Sequence, residues 1–285
     1  MRVAIASGKG GTGKTTVATN LAATAARDGW QVHLIDCDVE EPNCHIFVSP
    51  EFSYRQIVTV PVPNIDQERC TGCGECSEIC QFNALACIGD GVMTFPELCH
   101  SCGGCWRVCP EKAIGQNPRE IGILEEGWAP GIRFTQGRLK VGEAQVPPLI
   151  RRVKASGGGS LLTIIDAPPG TSCAAVTAMR GCDFVLLVTE PTPFGLHDLT
   201  LAVSTVRYIG QPFGVVVNRA GTGDDRIERY CHDEDIPLLC TIPDDRRIAA
   251  AYAAGILAIS TVPEMVTLFR ELQSEVVNCW QRVAS

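Results

Sequence analysis

Residues 7–16 read Ser-Gly-Lys-Gly-Gly-Thr-Gly-Lys-Thr-Thr and follow directly on the apolar stretch Val3-Ala4-Ile5-Ala6. From Gly8 to Thr15 the spacing is G-x-x-x-x-G-K-[ST], in which glycines let successive backbone N–H groups converge on one phosphate cluster. The candidate phosphate-binding residues are therefore Gly8, Gly10, Gly11, Thr12, Gly13, Lys14, Thr15 and Thr16. Lys14 is expected to reach the β/γ-phosphates and the Thr15 hydroxyl to take a Mg²⁺ site. A helix from Thr15 to about Arg27 would present its positive N-terminus to the same anion. The next apolar run, Gln31 to Cys37, reads as a second buried strand, so strand, loop, helix and strand form a βαβ unit and the sheet is parallel.

Lys9 is superfluous in an ordinary phosphate loop. With it, GKGGTGKTT resembles the deviant Walker A loop of the MinD/ParA/Mrp superfamily, which includes the nitrogenase iron protein. The resemblance implies a doubly wound, mostly parallel α/β ATPase in which Lys9 reaches across a nucleotide-sandwiched dimer to the partner's ATP. Two acidic residues close the second strand. By the same resemblance Asp38, in switch I, would accept the attacking water beside the γ-phosphate, and Asp36 would sit nearer the Mg²⁺ shell. Residues 161–170, LLTIIDAPPG, form an apolar strand closed by Asp166, the arrangement that holds a carboxylate near Mg²⁺. The continuation D-x-P-P-G-T is similar to the Mrp-like branch. Asn218-Arg219, after the buried strand FGVVVN, and Pro243 fall where relatives hold the adenine. The expected ATP site thus has Lys9, Lys14 and Asp38 as catalytic residues and Thr15, Asp36 and Asp166 as the magnesium side.

Eight of the 16 cysteines fall in two blocks, CTGCGECSEICQFNAL from Cys70 and CHSCGGCWRVCPEKAI from Cys99, which align without gaps at an offset of 29 residues. The spacing is C-x₂-C-x₂-C-x₃-C, that of a bacterial two-cluster ferredoxin. Zinc would ask for pairs of thiolates, and disulfides are not expected in a cytosolic chain. Three close cysteines wrap three corners of a cubane, and the fourth crosses to the other cluster. One [4Fe–4S] centre is then expected on Cys70, Cys73, Cys76 and Cys109, and the other on Cys80, Cys99, Cys102 and Cys105. The second block carries the usual following proline, Pro110; the first has Gln81 instead. Cys87 lies outside the pattern and reads as a buried thiol. Cys173 follows Asp166 by the interval that precedes a cluster ligand in the nitrogenase iron protein; with only Cys182 as a conceivable second ligand, a buried small thiol is favoured.

Elsewhere the signals are weaker. Residues 39–63, with Pro42, Pro50, Pro61 and Pro63, read as irregular. Thr135-Gln136-Gly137-Arg138 reads as a hairpin turn between Ile132–Phe134 and Leu139–Val141, extending the sheet edge. A basic helix follows, from about Pro148 to Ala155, ended by Gly157-Gly158-Gly159. Phe184–Thr189 reads as a buried strand and Thr200–Ile209 as a helix. The final helix, about Pro263 to Val283, carries Val266, Phe269, Leu272, Val276 and Trp280 on one stripe and reads as core-packing, its mixed-charge polar face being unsuited to membrane binding.

At 285 residues, 45% hydrophobic and 20% charged, the chain is large enough for a substantial core. A net charge of −8 argues against coating nucleic acid. No apolar run approaches a membrane span and the chain opens on a core strand, so a cytoplasmic protein without membrane insertion is expected.

The expected architecture is an ATPase domain from residues 1–60 and 118–285, interrupted by an α+β ferredoxin-type module at 61–117. The function this suggests is ATP-gated electron transfer through two [4Fe–4S] clusters to a redox or metallocluster partner, with Mg²⁺ and ATP/ADP as further cofactors and a homodimer or a heterodimer with a paralogue as the working state. Because the insertion follows switch I in the chain, the loop beside Asp38 is expected to run directly into the cluster module and link the two. Metallocluster assembly or carriage is the alternative, though carriers of the Mrp-like branch use a C-terminal C-x-x-C that is absent here. A spatial-positioning ATPase with a redox-sensing module is a third.

Overall fold

The computed structural model describes residues 1–156, 162–221 and 223–284. The three glycines expected to end the basic helix lie outside them. The chain begins with β1 (Arg2–Ala6), the loop, α1 (Lys14–Arg27) and β2 (Val32–Asp36). It then forms a short helix, α2 (Cys44–Val48), and a 15-residue strand, β3 (Glu51–Ile65). Residues 39–63 are therefore not irregular. The prolines do prevent a long helix, but β3 is the last strand of its sheet, and an edge strand tolerates Pro61 and Pro63 because one row of its N–H groups has no ladder to serve.

Beyond β3 come α3 (Glu75–Glu78), β4 (Leu85–Ile88), β5 (Gly91–Thr94) and α4 (Gly104–Val108). The chain returns along β6 (Ile114–Ala129), antiparallel to β3 as far out as the pair Ile65–Ile114. It turns at Pro130-Gly131 into β7 (Ile132–Leu139). This is the hairpin, displaced from its expected place: Thr135-Gln136-Gly137-Arg138 lies inside continuous β7. Gly137 serves packing rather than turning, since a Cβ there would meet Val39 Cγ1 at 2.6 Å and Val153 Cγ2 at 2.7 Å.

The rest alternates helix and strand: α5 (Val146–Ala155), β8 (Leu162–Asp166), α6 (Cys173–Met179), β9 (Phe184–Thr189), α7 (Pro193–Ile209), β10 (Phe213–Ala220), α8 (Arg226–Asp233), β11 (Leu238–Pro243), α9 (Arg246–Ala253), α10 (Ala258–Thr261) and α11 (Glu264–Ala284). Among the described residues one sheet runs β11-β10-β9-β1-β8-β2-β7-β6-β3, parallel from β11 to β7 and antiparallel at β6 and β3. Its two faces carry separate cores. Val17, Leu21, Phe134, Phe269, Leu272 and Val276 fill one, under α1 and α11. Leu149, Ile150, Val153, Ala175, Met179 and Val203 fill the other, under α5, α6 and α7. The apolar stripe of α11 is thus spent on the core. No described helix is long and apolar enough to cross a membrane.

Residues 66–113 repeat themselves about a local two-fold. Ile65 pairs with Ile114 as Thr94 pairs with Leu85, each partner 29 residues from its counterpart. Asp66 N–H donates to the Ala113 carbonyl, and Phe95 N–H to that of Ala84, both at 2.8 Å. The left-handed backbone positions repeat as well: Gly74 (φ 83°) with Gly103 (79°), and Asn83 (53°) with Lys112 (50°).

Candidate nucleotide and thiol sites

The parallel register gathers the first site. Ile5 of β1 lies beside Asp166 of β8, and Asp166 beside Asp36 of β2, so the loop and both carboxylates meet at the carboxyl ends of adjacent strands, where open α/β sheets bind ligands. Gly13 caps α1 at φ 95°; a Cβ there would stand 2.2 Å from Asn218 Nδ2, which instead donates to the Thr12 carbonyl at 2.8 Å. Thr15 Oγ1 donates to Asp166 Oδ2 at 2.7 Å, and the Cys44 thiol donates to the same oxygen at 3.3 Å. Asp166 Oδ1 is buried without a partner. A desolvated carboxylate oxygen left bare is costly unless a cation or its water faces it, so this donor set fits the magnesium side.

Asp36 has a further role that its sequence position did not suggest. Its Oδ1 accepts the Asp38 amide, and its Oδ2 those of Asn43 and Cys44, all at 3.0 Å, so it folds switch I and starts α2. Asp36, Cys44 and Asp166 offer ligand atoms within 4.8 Å of one another. Burial, and for Asp36 also the neighbouring Asp166 carboxylate, raise both acids above the ordinary range. Asp38 reaches the cleft itself, and burial together with Asp166 pushes it up to about 6.

The cleft, ≈ 390 Å³, is lined by Gly10, Gly11, Gly13, Lys14, Thr15 and Thr16, with Asp38, Asn218, Arg219 and Pro243 around it. Gly8, Lys9 and Thr12 do not line it. The far wall comes from Ile248, Ala249 and Tyr252 of α9, which the sequence reading missed. Its signal was present: Asp245 caps α9 by accepting the Arg247 amide at 2.7 Å, ahead of an alanine-rich run. Lys9 points away and is held by Glu190, with Nζ 2.5 Å from Oε1, while Arg219 Nη1 holds the other oxygen at 3.1 Å. Glu190, immediately after β9, was also missed.

The eight block cysteines line two further cavities. Cys70, Cys73, Cys76 and Cys109 share one, and Cys80, Cys99, Cys102 and Cys105 share the other. All are free thiols. Backbone N–H groups of Ala84, Ser101 and Ala113 donate to the sulfurs of Cys80, Cys99 and Cys109, each at 3.3 Å. Equivalent positions differ in character. Thr71 and Glu111 line the first cavity, whereas His100 and Phe82 line the second, stacked with ring centroids 3.7 Å apart. Cys87 lines neither and bonds the Gly72 carbonyl at 3.2 Å. Cys173 is exposed at the start of α6 and Cys182 is buried beyond its end, so the two lie at opposite ends of that helix.

Fold and cleft together define a P-loop nucleotide-binding α/β protein. Comparison narrows the class: the family model described as the CobQ/CobB/MinD/ParA nucleotide binding domain matches residues 3–258, and the chain belongs to that family. An uncharacterized protein of Methanocaldococcus jannaschii is 31% identical over 263 residues, covering 90% of each chain. An iron-sulfur cluster carrier protein of Pyrococcus horikoshii is 25% identical, over 97% of this chain and 85% of that one. Among solved structures, the septum site-determining protein MinD of Pyrococcus horikoshii, complexed with Mg-ADP, superposes with a TM-score of 0.61 at 22% identity, covering 96% of this chain and 95% of that one. That likeness is one of fold.

Proposed function

We propose that the chain is an ATP-hydrolysing iron–sulfur protein that acts in the assembly or carriage of metalloclusters. One observation carries this reading: a phosphate-loop cleft and two repeat-related cavities of four free thiols each lie in a single chain. Relatives named as iron-sulfur cluster carriers support it. Residues 61–117 would then be a ferredoxin-type module set into an ATPase domain of residues 1–60 and 118–285.

At the cleft, Lys14 and the loop amides hold the β/γ-phosphates, and Thr15 with the bare Asp166 oxygen faces the metal that accompanies the nucleotide. Asp38 orients and deprotonates the attacking water. Lys9, released from Glu190, adds positive charge at the nucleotide of a second copy or a paralogue, which places ATP between two subunits. Phosphoryl transfer asks for this kind of positioning and charge rather than covalent chemistry.

The two cavities fit [4Fe–4S] groups, since each offers four thiols and amides already aimed at sulfur. When bound, such a group supplies one-electron chemistry, usually at negative potential. Burial of Cys76, Cys99 and Cys105 favours firmly held clusters, and this supports a second reading in which the chain passes electrons under nucleotide control.

The deciding experiment reconstitutes the full chain anaerobically, counts iron and sulfide, and mixes it with an apo-acceptor with and without ATP. ATP-accelerated transfer supports carriage. Retention of both clusters with electron delivery supports the second reading. A chain that binds no iron refutes both.

A further inference from the structure

We propose that α5 is the mechanical link between the nucleotide site and one thiol cavity, that of Cys80, Cys99, Cys102 and Cys105, and that Gln145 and Lys154 are its two grips. This rests on that cavity holding a cluster, and it adds which cluster responds to nucleotide and through which residues.

The first grip is a buried polar knot at the start of α5. Gln145 is 6% exposed, and its side-chain amide donates to the Cys99 carbonyl. Arg119 Nη2 donates to the same oxygen at 3.4 Å. Arg119 is paired with Glu143, whose Oε1 accepts the Gln145 backbone N–H at 2.8 Å. Arg119, Glu143 and Gln145 thus close on one carbonyl of one cysteine loop. Among the described residues, the equivalent carbonyl of Cys70 has no such partners.

The second grip is at the other end. Lys154 Nζ donates to the carbonyls of Thr177 (2.9 Å), Ala178 (2.7 Å) and Arg180 (2.8 Å), gathering the last turn of α6. That helix follows the Asp166 loop, whose Gly170 N–H donates to the Ser7 carbonyl of the phosphate loop at 2.9 Å. Between the grips, Leu149, Ile150 and Val153 are fully buried in the core that also holds Ala175 and Met179. Close-packed helices move as bodies and do not absorb a displacement by compressing. A shift of α6 that follows the γ-phosphate therefore displaces α5 and pulls on the Cys99 loop, whose polar surroundings set the potential of whatever those sulfurs hold.

The route expected from chain order, directly from switch I into the cysteine module, is less direct in space. All of α2 and the 15 residues of β3 stand between Asp38 and Cys70.

The test is an EPR-monitored redox titration of the reconstituted full chain without nucleotide, with ADP and with a non-hydrolysable ATP analogue. We expect one of two reduction steps to move about tenfold in equilibrium constant, about 59 mV for one electron. It should be the step altered by Cys102→Ser and not the one altered by Cys73→Ser. Gln145→Glu, which keeps the shape and loses the donor, and Lys154→Met should each cut the nucleotide effect below twofold while iron content and ATP turnover stay within twofold. Amide exchange over residues 146–155 should differ between ADP and the analogue, and Lys154→Met should erase the difference. Both steps moving alike, no movement, movement of the Cys73 step alone, or a shift that survives both substitutions would each overturn the proposal. A chain without iron and sulfide is recognised before any potential is measured, and it overturns the cluster reading itself.

Discussion

Lys9 and Glu190 show how one ion pair can store a residue away from its task. Their side chains are only 30% and 13% exposed, yet the pair still faces solvent, so it is worth at most about 1 kcal/mol. Glu190→Gln should therefore raise ATP-dependent self-association of the chain by about two- to fivefold in light scattering, and Lys9→Ala should abolish it. Asp38 makes a sharper prediction. Burial and Asp166 raise it to about 6, so as a base it works only above that value. The ATPase kcat/KM, which reports the free protein, should fall as pH drops through about 6, and Asp38→Asn should lower turnover by about 10²-fold or more and remove that limb of the profile. Asp36 and Asp166 act on stability with the opposite sense to an ion-paired acid. Their folded values lie above the unfolded ones, so their contribution is fully present below the ordinary carboxylate range and is lost as pH rises through the raised values. A divalent cation with nucleotide should restore it.

Among the elements, β7 decides how the sheet's edge is built. It lies parallel to β2 and antiparallel to β6, which makes it the strand where the doubly wound core changes into a hairpin extension. Its Gly137 lets Val39, Leu149 and Val153 close over the strand, so Gly137→Ala should cost about 1–3 kcal/mol in urea denaturation followed by far-UV circular dichroism, the overpacking range. A turn glycine inside a Thr-Gln-Gly-Arg stretch and a packing glycine inside a strand look identical in sequence. They are told apart only by what approaches the α-carbon, and here that is side chains from a loop and a helix distant in the chain.

For the whole molecule, the interleaved cysteine sets make a prediction that no block-by-block reading would. Cys80 lies in the first block but lines the second cavity, and Cys109 the reverse. Cys80→Ser and Cys102→Ser should perturb the same cluster signal, Cys73→Ser and Cys109→Ser the other, and iron content should fall by about half in each at most. Cys87→Ser should leave iron unchanged. If Cys80→Ser instead behaves like Cys73→Ser, the crossing-over is wrong.

Much of this was legible in the sequence because it is local. The phosphate loop needs consecutive backbone N–H groups, and a cubane needs thiols at fixed short intervals, so both leave compact signatures at Gly8–Thr15 and in the two cysteine blocks. The parallel α/β order followed from buried strands alternating with helices. What only the tertiary structure decided concerns contacts between residues far apart in the chain. Edge placement turned the proline-containing residues after Pro50 into a long strand, because a free edge excuses missing N–H groups. Strand register set Asp36 against Asp166 and left one buried oxygen bare. Glu190, Tyr252 and Gln145 carry no motif; each matters because of a neighbour brought to it by folding, Lys9 about 180 residues away in the chain, the nucleotide cleft, or the Cys99 carbonyl.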